Sequence, residues 1–215
     1  MRIQPGVSKV IREVPLDYAI LDLGCGNGSL AQKLSELGHI GPYTGLDSSE
    51  ELLNVARKRC THPNATFVRK DLANTLWTSG LWAPYDRIFA FAVLHHIPGE
   101  ALRWKILRDI HSLIELDGLI VLSVWNFLAS SKLRSRIVPW DVSGIDESKL
   151  DPGDYLLDWR RGGTGLRYVH AFEEIELVVL AEKTGFEVVE TYYSDGEGGQ
   201  LGLYHVWRSL NNPDL

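Results

Sequence analysis

Short apolar runs alternate along this chain with stretches whose apolar residues recur at three- and four-residue spacing. Tyr18–Leu23 is an apolar run that ends in a glycine cluster and predicts a buried strand. Leu30, Leu34 and Leu37 then fall on one helical face, and Gly38 supplies a stop. Tyr43–Leu46 predicts a second strand, and Ser48 and Ser49 cap a helix over Glu50–Arg59. Thr66–Arg69 and Tyr85–Phe91 predict strands three and four. Helical periodicity follows over Glu100–Ile114, with a turn at Asp117-Gly118 and a nearly continuous apolar strand at Leu119–Trp125.

The regular pattern then breaks. Phe127–Gly165 shows no clean period, and a stretch that long inside a compact domain is functional or carries short elements of its own. Phe172–Lys183 returns to helix, and Phe186–Tyr193 and Gln200–Trp207 flank a Gly-rich turn as an antiparallel hairpin. The prediction is an α/β, Rossmann-like fold: a seven-stranded, mostly parallel sheet ending in an antiparallel hairpin. The 215 residues suit one domain spanning 1–215, with an irregular substrate cap inserted at about 127–170.

The segment Asp22-Leu23-Gly24-Cys25-Gly26-Asn27-Gly28 joins the first strand to its helix. Glycines there permit a tight turn and let a ligand approach the backbone. A dinucleotide site uses a similar junction, but the spacing here is G-x-G-x-G. An aspartate also stands two residues before the first glycine, where a pyrophosphate would be repelled and an ammonium attracted. Asp22 therefore points to the amino group of a methionyl tail. Asp47, closing the second strand, is placed to accept from ribose hydroxyls or to cap the next helix. Asp71 and Leu72, after the third strand, are candidates for an adenine's exocyclic amine and ring face.

Net charge is −6, which disfavours a purely electrostatic nucleic-acid binder without excluding a local basic face. Within 127–170, seven Lys/Arg stand against six Asp/Glu, so that stretch is enriched in cations relative to the chain. Two cysteines, Cys25 and Cys60, form no disulfide framework and suggest a reducing, cytoplasmic setting. No apolar run approaches the ~18 residues of a membrane span. No Cys/His spacing suits zinc, and no bound metal is expected.

The run Ile20–Gly28 resembles motif I of the class I S-adenosylmethionine-dependent methyltransferases. Ala92-Val93-Leu94-His95-His96-Ile97 is similar to the segment after their fourth strand, and Leu116-Asp117-Gly118-Leu119 to their turn into the fifth, with Asp117 where proline is usual. The resemblance implies S-adenosylmethionine as cofactor, leaving S-adenosylhomocysteine, held by Asp22, Gly24, Cys25, Gly26, Gly28, Asp47, Ser48, Asp71, Leu72 and Ala90. A narrower likeness lies in Trp125, at the end of strand five, and in Arg167-Tyr168-Val169-His170-Ala171-Phe172. These resemble the tRNA wobble-uridine carboxymethyl methyltransferases, and imply a tRNA acceptor and a small zinc-binding activator protein as partners. That family carries a helical segment ahead of strand one, for which about nineteen residues remain here.

On this reading His95, Arg167 and His170 are the catalytic candidates: a base for a hydroxyl or amine nucleophile, or a guanidinium clamp for a carboxylate. Trp125, Asn126, Trp159, Arg160, Arg161 and Tyr168 are the substrate candidates, the aromatics offering faces for a base. Each has a plainer alternative. Arg167 could pair with Asp154 or Asp158, the histidines could make structural hydrogen bonds, and the aromatics could anchor the cap. A small-molecule methyltransferase of the same fold, and a non-catalytic cofactor-binding subunit, remain open.

Overall fold

The computed structural model describes residues 3–159 and 165–210. Helix α1 (Pro5–Ile11) leads into β1 (Ile20–Leu23), α2 (Ser29–Glu36), β2 (Tyr43–Asp47), α3 (Glu50–Arg59) and β3 (Ala65–Arg69). Next come β4 (Tyr85–Phe91), α4 (Glu100–Leu113) and β5 (Ile114–Trp125). The inserted segment holds α5 (Ser131–Arg134), β6 (Ile137–Val138), β7 (Asp154–Trp159) and β8 (Gly165–His170). The chain then returns through α6 (Glu174–Lys183), β9 (Phe186–Ser194) and β10 (Gly202–Ser209).

The main sheet has the order β3-β2-β1-β4-β5-β10-β9, with β10 antiparallel to both of its neighbours. Ile20, Leu21, Ile88, Phe89, Ile120 and Leu122 are all almost fully buried, because helices cover both faces. The strand order reverses between β1 and β4. That switch point opens a crevice at the carboxyl ends of the strands, where the loops after β1 to β5 gather.

Three features depart from expectation. Helix α1 occupies the short stretch before β1. Pro5 starts it, and Gly6 lies so close to the Tyr204 ring that an added Cβ would come within 2.4 Å. Asp195 receives the Gly6 amide at 2.9 Å, and the Tyr192 hydroxyl donates to the Gly6 carbonyl, also at 2.9 Å. Second, β5 begins at Ile114, straight after α4, and the predicted turn survives inside it as Asp117 at φ 62°. Third, the irregular stretch folds into a separate three-stranded antiparallel sheet, β6-β7-β8.

Candidate functional site

The glycine loop after β1 turns at Gly24, Gly26 and Gly28, all at positive φ. Gly28 packs on α3, where an added Cβ would lie 2.9 Å from the Ala56 Cβ. At Gly26 the same addition meets nothing within 4 Å, so the loop backbone is bare toward the crevice. The Asp47 carboxylate holds this turn from β2, accepting the Gly26 amide at 2.9 Å and the Ser49 amide at 2.8 Å. Each of its oxygens keeps a lone pair for a further donor. Ser49, rather than Ser48, caps α3; Ser48 is exposed and its carbonyl accepts from Arg69.

Asp22 is 3% exposed. Tyr43 donates its hydroxyl to one carboxylate oxygen, and the other receives no hydrogen bond from a described residue. Burial pushes the Asp22 pKa up to about 7, against the opposing pull of the Tyr43 hydrogen bond. Cys25 is buried within the loop, its thiol pushed far above the usual range by burial, so it serves as packing against Gly45.

Leu72 and Ala90 lie side by side around a small apolar cavity that Leu23 and Val93 also line. Asp71 is exposed beside them and accepts the Ala73 amide at 2.9 Å through one oxygen. Ala92, next on the same edge, is held at φ 56°, an uncommon conformation for a residue with a Cβ, by hydrogen bonds to Ser123. The site thus offers bare backbone, two carboxylates and an apolar floor in chain order. This donor set suits the ammonium, ribose and adenine of S-adenosylmethionine, and places the expected cofactor residues along one edge.

Beyond β4, His95 and His96 sit on a 3₁₀ turn against Trp125. His95 is wholly buried. Its Nδ1 accepts the Trp125 amide at 3.3 Å, which leaves the proton on an Nε2 with no partner, and burial holds the ring neutral. His96 donates Nδ1–H to the Tyr168 carbonyl at 3.1 Å, leaving the Nε2 lone pair free on a ring that is only partly buried. Of the pair, His96 is the better-placed acceptor for a proton, and His95 supports Trp125. The spacing of two adjacent histidines carried no sign of this division.

Trp125 stacks on Trp159 with centroids 6.0 Å apart and planes 24° from parallel. The Arg167 guanidinium lies 3.7 Å over the Trp159 ring and 5.9 Å from Trp125. Among the described residues no carboxylate pairs with Arg167, and Asp154 is taken by other partners. Trp125 and Trp159 line a cleft of about 590 Å³ together with Lys132, Arg136, Glu197 and Gln200. Stacking uses the guanidinium's faces and leaves its in-plane N–H groups for a ligand.

Three expected substrate or catalytic residues do other work. His170 is buried between Asp154, at 2.7 Å, and Glu176, at 3.0 Å, and cannot reach a substrate. Burial alone would lower its pKa, but the Glu176 and Asp154 hydrogen bonds outweigh it and raise it. The Tyr168 hydroxyl donates to Asp154 at 2.6 Å and lies 3.3 Å from Arg103, so this ring braces the cap instead of stacking on a base. Asn126 fastens the β9–β10 loop, its amide nitrogen donating to the Gln200 carbonyl at 3.1 Å. Arg160 and Arg161 lie outside the described residues. Among those residues, no group of three side chains could hold a metal ion, and no helix is long and apolar enough to cross a membrane.

Comparison with known proteins places this arrangement. Residues 20–118 match the family model described as a methyltransferase domain. A trans-aconitate 2-methyltransferase of Acidovorax ebreus is 40% identical over 104 residues, covering 46% of this chain and 37% of that protein. Its counterpart in Escherichia coli O157:H7 is 29% identical over 181 residues, covering 81% of this chain and 61% of its own. The chain thus spans about a third of the length of the first two curated relatives it matches, 37% and 31%. In structure, a Methanosarcina mazei protein titled as a SAM-dependent methyltransferase superposes with a TM-score of 0.71 at 21% identity, covering 99% of this chain and 100% of that one. The Synechocystis magnesium protoporphyrin IX methyltransferase, solved with bound S-adenosylhomocysteine, gives 0.64 at 20% identity, with 95% and 82% covered. Residues 20–118 thus match a methyltransferase domain, and the fold as a whole is that of the S-adenosylmethionine-dependent methyltransferase structures on which it superposes.

Proposed function

We propose that this chain methylates a carboxylate oxygen of a small organic acid, forming a methyl ester. The observation that carries the reading is Arg167, a partly buried guanidinium stacked on Trp159 with no carboxylate partner among the described residues. Its free fork suits a carboxylate acceptor. When bound, S-adenosylmethionine supplies a methyl group activated by a sulfonium. Asp22, Asp47 and the loop glycines would hold the cofactor, and Arg167 would orient a carboxylate oxygen of the acceptor toward its methyl group. Carboxylates are ionised near neutral pH, so no strong base is required, in keeping with a His95 that is sealed and neutral. What the protein contributes is alignment and exclusion of water by the paired indoles.

The trans-aconitate methyltransferases among the relatives support the same acceptor class by their names. In a chain of net charge −6, Lys132 and Arg136 along the cleft offset the repulsion an acid would otherwise meet. The test is purified protein with S-adenosylmethionine and a panel of aliphatic and aromatic acids, trans-aconitate among them, beside a carboxymethyluridine nucleoside and its tRNA. The expected product is a base-labile methyl ester of a small acid. Methylation of the nucleoside or tRNA with every acid inert would move the acceptor to RNA. A base-stable product would overturn the carboxylate chemistry.

A further inference from the structure

Tyr43 belongs to no motif and the cofactor reading did not use it. Yet it opens β2, 1% exposed, with its hydroxyl on Asp22. Register explains the contact. Tyr43 pairs with Ile20 and Gly45 pairs with Asp22, so Tyr43 and Asp22 lie diagonally on one face. Gly45 presents no side chain opposite Asp22, where an added Cβ would come within 2.9 Å of both Cys25 and Phe67. The ring is fixed from behind by Phe67 and His62, with centroids 6.1 and 5.9 Å away.

Resting on the cofactor assignment above, we infer that Tyr43 is a positioning residue for the cofactor's ammonium group. It holds the Asp22 carboxylate by one oxygen so that the other is presented to the methionyl tail. The environment of Asp22 makes this hydrogen bond matter. Burial and the Asp47 carboxylate at the end of β2 both favour a protonated Asp22, and Tyr43 alone among the causes pulls toward the charged form. From the loop, Cys25 faces it as a neutral thiol, and on β4 its register partner is the apolar Phe89. Removing the hydroxyl therefore raises the pH at which Asp22 can receive an ammonium.

The test is calorimetric titration between pH 6 and 9 with two probes, S-adenosylhomocysteine and 5′-methylthioadenosine. The second keeps adenine and ribose but has no amino-acid tail. Tyr43→Phe should bind S-adenosylhomocysteine ~5-fold more weakly at pH 7, the loss of ionised Asp22 expected if its midpoint rises from about 7 to about 8, and the pH midpoint of binding should move upward. Methylthioadenosine affinity should stay within about twofold. In the unaltered protein, S-adenosylhomocysteine binding should strengthen as pH rises through about 7 while methylthioadenosine binding stays flat. Equal losses for both probes in Tyr43→Phe would make the residue merely structural, and an unmoved pH profile would overturn the inference. Asp22→Asn separates the premise: undiminished S-adenosylhomocysteine binding there would remove Asp22 from the ammonium site altogether.

Discussion

Replacing Arg167 with methionine keeps an unbranched side chain over Trp159 but removes every N–H donor of the guanidinium. If the fork holds the acceptor, kcat/KM for the acid should fall ~10- to 100-fold, the range of a lost charge-assisted hydrogen bond, with cofactor affinity unchanged. Lysine should recover only part, since it offers a point charge in place of a planar fork. Steady-state kinetics on the acid checks both. Two glycines in one loop should divide in the same way. Gly28→Ala forces a Cβ against Ala56 at φ 74° and should cost ~1–3 kcal/mol of stability in denaturant unfolding. Gly26→Ala meets open space, so its larger effect should be on S-adenosylhomocysteine affinity. The sequence made Asp22, Asp47 and the glycines readable because their order reflects a strand–turn–helix junction. It could not reveal Tyr43, whose role depends on register with β1.

Two histidine systems set how the elements respond to pH, and they act with opposite sign. His170 ties β8 to Asp154 of β7 and Glu176 of α6, and its folded pKa is raised. Its contribution is full below the unfolded value near 6.5 and is lost as pH rises through the raised value. His39 and His62 form a buried chain: the Asn64 amide donates to His62 Nδ1, His62 Nε2–H to His39 Nδ1, and His39 Nε2–H to the Tyr18 carbonyl. Both rings must be neutral, burial lowers both pKa values, and their contribution is lost as pH falls below about 6.5. Amide exchange should therefore show β8 and α6 loosening toward pH 9, and the ends of β1 and β2 loosening toward pH 5. Asp154→Asn should weaken the alkaline effect and leave the acid one unchanged. The same elements show where periodicity fails. Helix α1 has seven residues, and its buried face exists only through tertiary packing, in a core cluster shared with α2 and the hairpin. The cap's β6 has two residues, too few for any alternation to register. By contrast β1, β4 and the second half of β5, largely buried along their length, announce themselves as apolar runs, and the helices between them by spacing.

At the scale of the whole molecule, α1 lies between the two halves of the site. Gln4 borders the tryptophan-lined cleft, while Ile3, Ser8 and Arg12 border a second cleft beside Asn27 and Gly28. Its latch to β9 and β10 through Asp195 and Tyr192 joins the two ends of the described chain. Cofactor binding should thus be felt globally: S-adenosylhomocysteine at a hundred times its Kd should add about 2.7 kcal/mol and raise Tm by ~5–10 °C. An unchanged melting curve would argue against binding to the folded chain. The account turns most on which atom receives the methyl group. The most direct measurement supplies cofactor labelled in its methyl group to the protein in a cell extract, then treats separated small molecules, RNA and protein with mild base. The account predicts label in the small-molecule fraction, released by base as methanol. Label confined to RNA or protein, or resistant to base, would contradict it.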